Sequence, residues 1–285
     1  MVDDRRSAAE APAPPLVLFT DLDGTLLDAQ YRAGPAAGAV ARLQHAGVWV
    51  VFCSSKTRAE QEPLRRTLGV SGPFIVENGS AVLVPPPCDD LPQAEGWGRH
   101  LLGVPAERVR AGLREVRGRL GLRFQGFAEM RVEAVAEVTG LSLEEARRAR
   151  QREFSETLVG LARSDAARLQ EGLRAEGLQL ASGGRFHTVT GLGADKGRAL
   201  TWLMAWARRR SRAPALASVA VGDSANDAPM LRAADRAFVV ARSDGREPQL
   251  EGVERLGAIG PAGFAALARR LLAELGSEGT VDLRR

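Results

Sequence analysis

The sequence predicts an α/β protein, with a Rossmann-like parallel-sheet core and an inserted α+β cap domain. Three observations carry this prediction. Apolar runs of strand length occur near both ends of the chain, LVLFT (16–20), VWVVFCSS (48–55), LASVAVGD (216–223) and RAFVVA (236–241), and read as strands buried on both faces. Helical patterns alternate with them, as parallel strands require of their connections. Between residues 91 and 188 the character changes to charged amphipathic helices broken by short β-like pieces, which suits a module inserted into the alternating pattern.

Taken in order, LVLFT is the first core strand and GPAAGAVARLQHAG (34–47) a helix closed by glycine. VWVVFCSS follows as the second strand, and Thr57 with Glu60 forms a capping box that opens the next helix. FIVENGSAVLV (74–84) sets Asn-Gly between two β-rich runs, a strong hairpin signal, before PPPCDDLP (85–92) breaks the pattern. Within the insertion, RHLLGVPAERVRAGLREVRGRLG (99–121), SLEEARRARQ (142–151) and SDAARLQEGLRAEG (164–177) read as helices, with Ser142 and Glu145 as a capping box and Ser164 as an N-cap. LRFQGF (122–127) and LQLASGGRFHTVTG (178–191) read as its strands, and for REFSE (152–156) a helix end is the bland alternative to a functional motif. DKGRALTWLMAWARRR (195–210), NDAPMLRAAD (226–235) and PAGFAALARRLLAELG (261–276) complete the core helices. The expected division is a disordered extension over 1–15, a core over 16–90 and 189–276, a cap over 91–188 and a tail over 277–285.

Composition limits the functions. The 285 residues are 45% hydrophobic and 26% charged, ample for a substantial core. No stretch approaches the roughly 18 apolar residues of a membrane span, and MVDDRRSAAEAPAPP lacks the apolar run of a signal peptide, so the expected location is the cytoplasm. Cys53 and Cys88 form no metal or disulfide pattern, and His45, His100 and His187 are scattered. A net charge of +4 with interspersed acids does not argue for nucleic acid, and RRARQR (147–152) and RRRSR (208–212) read as solvated helix faces. Of the 39 basic residues only Lys56 and Lys196 are lysine, so these two sites are candidates for a need that arginine does not meet.

Ligands of open α/β sheets bind beyond the carboxyl ends of the strands. Asp21 and Asp23 follow the first strand, Ser54 the second, and Asp223 with Asp227 the strand at 216–222, while Lys196 begins a helix. Carboxylates gathered at a sheet edge repel unless a cation joins them, and oxygen ligands suit a hard ion such as Mg2+. Aspartates, a lysine and a hydroxyl then define phosphoryl transfer, with carboxylate attack on phosphorus and a second carboxylate to move the proton. Gly24 lets the chain turn tightly beside Asp23.

DLDGTLL (21–27), the strand ending at Ser54, Lys196 and GDSANDAPML (222–231) resemble the ordered motifs of the haloacid dehalogenase superfamily, phosphatase branch. The resemblance covers nearly the whole chain. It implies Asp21 as nucleophile, Asp23 as general acid/base, and Ser54 and Lys196 as phosphate-binding groups. It also implies Mg2+ held by Asp21, Asp23 and Asp223 with Asp227 in support. SSKTRAEQ (54–61), ENGSAV (77–82), REFSE, SGGRF (182–186) and DKG (195–197) resemble, more narrowly, the capped sugar phosphatases that act on glycosyl-3-phosphoglycerates. That implies hydrolysis of mannosyl-3-phosphoglycerate to mannosylglycerate and phosphate, with Ser55, Lys56, Ser182, Gly183, Gly184 and Arg185 as substrate-binding residues. His187 directly follows Phe186, where that branch has one residue between them. Glucosyl-3-phosphoglycerate and sucrose phosphate stay open as substrates. A receiver-type phospho-acceptor module uses a similar set of groups, but needs neither an acid/base beside the nucleophile nor a cap.

Overall fold

The computed structural model describes residues 15–183, 186–245 and 250–277. Along the chain run β1 (Leu16–Thr20), α1 (Pro35–His45), β2 (Trp49–Phe52), α2 (Arg58–Thr67), β3 (Phe74–Val76), β4 (Ala81–Val84), β5 (Gln93–Ala94) and β6 (Trp97–Leu101). They are followed by α3 (Ala106–Leu120), β7 (Gln125–Gly126), α4 (Val132–Thr139), α5 (Leu143–Ala149), β8 (Ser155–Val159), α6 (Ala166–Ala175), β9 (Leu178–Gly183) and β10 (Phe186–Gly191). The chain closes with α7 (Lys196–Arg210), β11 (Ala217–Gly222), α8 (Ala228–Ala233), β12 (Arg236–Ala241), β13 (Val253–Ile259) and α9 (Gly260–Ser277).

The core sheet has the order β13-β12-β11-β1-β2 and every pairing in it is parallel. Its two faces are separated by strand alternation: Leu16 and Leu18 face α1 and α9, while Val17 and Phe19 face α7. Because both faces are covered, β1 is buried along its whole length, which is why LVLFT carries no polar alternation.

Two antiparallel sheets adjoin this core, the first joined to it through the Cys53–Ile75 bridge beside β2 and through β3 and β4 side chains that pack on both of its faces. One, β3-β4-β6-β5, extends the Asn-Gly hairpin; the other, β7-β8-β10-β9, carries α3 and α6 on one face through Val109, Leu113, Val116, Leu169 and Leu173. This second sheet with its helices is the cap inserted between β6 and α7. Thr157, Phe186 and Thr188 lie on its other face and line the cavity described below.

Three local readings are corrected and one strand was missed. The helix expected over 99–121 begins only at Ala106, because Trp97–Leu101 pairs with β4 and Pro105, with a fixed φ, serves as N-cap. Ser164 does not cap α6; it lies in a 3-10 turn over Arg163–Asp165 that leads into the helix. REFSE is not a helix end, since Ser155 begins β8. β13 was not anticipated, because an edge strand with Glu254 and Arg255 exposed has no buried apolar run to betray it. The extension over 1–14 and the tail over 278–285 lie outside the described residues.

Candidate active site

The site begins where β1 ends. The Asp21 amide donates to the Val221 carbonyl at 3.0 Å, carrying the β1–β11 pairing one residue further and leaving the Asp21 carboxyl buried. Leu27 and Thr25 amides both return to the Leu22 carbonyl, closing a tight turn that Gly24 enters at φ +84°. A Cβ at Gly24 would lie 2.6 Å from Asp223 Oδ2, so only glycine lets this turn approach the end of β11.

Asp195 caps α7 by accepting the Arg198 amide, and the next residue, Lys196, is fully buried. Its Nζ lies 2.5 Å from Asp21 Oδ1 and 2.6 Å from Asp227 Oδ1. Asp227 Oδ2 accepts the amides of Asp223 and Ser224, each at 3.0 Å, so both oxygens of this carboxylate are engaged. Asp223 accepts the Thr25 hydroxyl at 3.4 Å and pairs with Arg242. Burial, then the carboxylate of Asp227, pushes the Asp223 carboxyl up to about 6. Burial raises Asp21 as well, against the pull of Lys196. Burial would lower Lys196, but Asp21 and Asp227 outweigh it and hold the ammonium charged.

Asp21, Asp223 and Asp227 each offer a carboxylate oxygen within 4.8 Å of the others, all buried. Three carboxylates outnumber the two cations beside them, Lys196 and Arg242, and an all-oxygen donor set fits a hard divalent cation. With no side chain at Gly24, the turn after β1 reaches Asp223, whose Oδ2 is met by the Arg242 guanidinium. The residues present therefore fit a divalent metal.

Asp21 and Asp23 open into a cavity of about 470 Å³ between core and cap, which Lys56, Arg152, Thr188 and Arg242 also line. Ser54 is buried; its hydroxyl accepts the Lys56 amide at 3.2 Å, and Ser55 faces the cavity. Lys56 Nζ sits 3.1 Å from Asp23 Oδ1, 3.7 Å from Glu60 Oε1 and 4.6 Å above the Tyr31 ring. Burial alone would lower its pKa, but Asp23 and Glu60 raise it. Ser182, on β9, is not among the described residues that line the cavity; its hydroxyl lies 2.8 Å from His187 Nδ1. Gly184 and Arg185 lie outside the described residues. Arg152, Thr25 and Arg242 were not singled out as site residues from the sequence. Arg152 stood inside a quoted motif, and Arg242 directly follows the apolar run RAFVVA (236–241), the same strand-end position that marked Asp21 and Asp223.

A parallel sheet with an aspartate centre at the strand ends and an antiparallel cap above it defines a class of hydrolases, and the solved structures of that class share the fold. A haloacid dehalogenase-like hydrolase from B. subtilis superposes with a TM-score of 0.64 at 19% identity, covering 90% of this chain and 99% of that one. The sucrose-phosphatase of Synechocystis, in complex with sucrose and phosphate, gives 0.58 at 14% identity, covering 92% and 98%. The haloacid dehalogenase-like hydrolase profile matches residues 18–90, and the sucrose-6F-phosphate phosphohydrolase profile matches 121–255. The chain belongs to the haloacid dehalogenase-like hydrolase family. A glucosyl-3-phosphoglycerate/mannosyl-3-phosphoglycerate phosphatase of Methanococcoides burtonii is 33% identical to it over 258 residues, 87% of this chain and 94% of that protein. A mannosyl-3-phosphoglycerate phosphatase of Pyrococcus horikoshii is 36% identical over 230 residues, 79% and 90% of the two chains.

Proposed function

We propose that this protein is a Mg2+-dependent phosphatase that hydrolyses mannosyl-3-phosphoglycerate to mannosylglycerate and phosphate. The observation that carries the chemistry is the buried Asp21 carboxylate, held by Lys196 at 2.5 Å and open to the cavity. The substrate follows from relatives whose names specify glycosyl-3-phosphoglycerates, at 33% and 36% identity over most of both chains. No helix among the described residues is long and apolar enough to cross a membrane, and two free buried cysteines suit the reducing cytoplasm.

Asp21 attacks phosphorus, and the bond to the glycerate oxygen breaks as the phosphoryl group passes to the carboxylate. Asp23, two residues on and facing the same cavity, gives its proton to the leaving oxygen and then takes one from the water that cleaves the aspartyl phosphate. Lys196 offsets the charge on Asp21, and the Ser54 hydroxyl binds a phosphoryl oxygen. Asp21, the Asp23 carbonyl and Asp223 would hold Mg2+, while Asp227, with both oxygens engaged, holds Lys196 and the start of the 223–227 loop. The bound ion supplies neutralisation of phosphoryl charge. Lys56, Ser55 and the β9–β10 hairpin, with Ser182, Gly183, Gly184 and Arg185, are the proposed substrate contacts.

The test is phosphate release with Mg2+ from mannosyl-3-phosphoglycerate, glucosyl-3-phosphoglycerate, sucrose phosphate and 3-phosphoglycerate. The expected result is a kcat/KM for the mannosyl compound at least about tenfold above sucrose phosphate and 3-phosphoglycerate, about 1.4 kcal/mol in the transition state. Preference for a simple sugar phosphate would overturn the substrate. The Asp21→Asn variant is expected to lose nearly all turnover, and near-wild-type rates from it would remove the covalent route.

A further inference from the structure

Resting on that reading of Ser54 and Lys56 as parts of the reacting pocket, we infer that Arg152 of the cap is a positioning residue for the 54–56 loop, locked in place by Glu77. Three consecutive carbonyls of this loop are each held from outside it. The Ser54 carbonyl accepts the Asn78 amide at 2.9 Å, and the Lys56 carbonyl accepts the Glu77 amide at 3.1 Å and Gln61 Nε2 at 3.1 Å. The one between, Ser55, accepts Arg152 Nη2 at 2.7 Å. Two of the three carbonyls are thus fixed from the hairpin turn of the core, and the third from the cap.

Glu77 is the reciprocal half. A hairpin turn needs no buried carboxylate, yet this one is fully buried and reaches into the chain segment that carries Arg152. Its Oε1 accepts the Glu153 amide at 2.8 Å, and its Oε2 accepts the Phe154 amide at 3.0 Å and the Ser155 hydroxyl at 2.5 Å. Arg152 Nε donates to Ser155 Oγ at 2.8 Å and lies 3.9 Å from Glu77 Oε2, with both side chains buried. Core therefore sends an anion into the cap, and cap returns a cation to the core loop. Glu77 and Asn78 hold left-handed φ of 50° and 58°, a conformation that aims the Glu77 carboxylate at the cap and both backbone amides at the loop. A guanidinium suits the task because its planar fork bonds Ser155 and the Ser55 carbonyl at once.

The consequence is that cap seating and pocket geometry are one event. Arg152 also lines the cavity, so direct substrate contact is the rival role, and the two separate by kinetics. Arg152→Gln, Glu77→Gln and the double variant are compared on p-nitrophenyl phosphate, an ester with neither sugar nor glycerate, and on mannosyl-3-phosphoglycerate. Backbone amide exchange of Glu77 and Asn78 is followed in parallel. Expected for Arg152→Gln is a kcat on p-nitrophenyl phosphate lowered at least about tenfold with KM within about threefold, and exchange faster at both amides. The double variant should be no slower than the worse single one, because both act through one connection.

A kcat on the small ester within about twofold of wild type overturns the proposal, whether exchange changes or not. So does a loss confined to KM for mannosyl-3-phosphoglycerate, which would make Arg152 a substrate contact. If Arg152→Gln does not fold, the isosteric Glu77→Gln carries the same criteria. Exchange is read without turnover, so a wild-type protein that cleaved no ester would overturn the phosphatase reading while leaving the connection to be decided by exchange.

Discussion

Lysine occurs only twice in this arginine-rich chain, and both ammonium groups lie beside aspartates of the site, that of Lys196 buried and that of Lys56 partly buried at the cavity wall. Lys196 bridges two carboxylates from different strands, a compact contact that a planar guanidinium would fill less well. Lys56 does more than wait for substrate, since it already holds Asp23, the proposed acid/base, and leans on Tyr31. Lys56→Ala should therefore lower kcat about tenfold on p-nitrophenyl phosphate as well as on mannosyl-3-phosphoglycerate, because Asp23 loses its partner in both reactions. Steady-state kinetics on the two esters check this, and a loss on the glycosylated ester alone would confine Lys56 to substrate recognition. The motif positions of Asp21, Asp23, Ser54 and Asp223 were legible because each follows an apolar run, and that of Lys196 because it opens a helix in a chain with only two lysines. Arg242 also follows an apolar run, but its pairing with Asp223 spans two adjacent strands and leaves no trace in local spacing.

Among the elements, the turn between β3 and β4 carries the most. The Asn-Gly signal foretold a hairpin, and one is present, but the turn is a 3-10 segment with three residues at positive φ rather than a two-residue loop. Its glycine is set by packing as well as by φ: a Cβ at Gly79 would lie 2.1 Å from the Asp195 carbonyl oxygen, at the N-terminus of α7. Gly79→Ala should destabilise the protein by on the order of 3 kcal/mol, through overpacking and the strained φ. Urea unfolding measures it; a change below about 0.5 kcal/mol would show that α7 can shift freely, and with it Lys196. The Thr57 and Ser142 capping boxes were also legible and both are formed, because such caps are local. β6 and β8 were not: their residues show no apolar alternation, and β6 becomes a strand through pairing with β4 and β5, β8 through pairing with β7 and β10.

At the scale of the molecule, the parallel sheet concentrates like charge at one edge, and this links metal, pH and stability. Burial and Asp227 push Asp223 up to about 6 from an ordinary value of 3.8. In the metal-free protein the folded state therefore keeps a proton that the unfolded chain has lost between these values. The Asp223 contribution to stability falls as pH rises through that window. A divalent cation binds the deprotonated carboxylate and reverses this. The stabilisation on adding Mg2+ to chelator-treated protein, read as a gain in Tm, should be larger at about pH 7.5 than at about pH 5, and Mg2+ at about a hundred times its Kd contributes about 2.7 kcal/mol. Calorimetry with and without Mg2+ at both pH values checks it, and equal gains would remove Asp223 from the metal centre.

By itself the sequence determined the α/β class, the strands that end in carboxylates, the order of the motifs and the presence of an inserted module. These are properties of hydrophobic period, caps and turn residues, all of which act within a few positions along the chain. Tertiary structure alone decided that Lys196 lies between Asp21 and Asp227, that Arg242 meets Asp223, and that Glu77 and Arg152 exchange charges between core and cap. Residues 77 and 152, like 21 and 196, are far apart in sequence. Their contacts exist only because the parallel sheet gathers distant strand ends at one edge and the cap folds back over them, leaving each buried charge to be met by whatever partner the packing brings within reach.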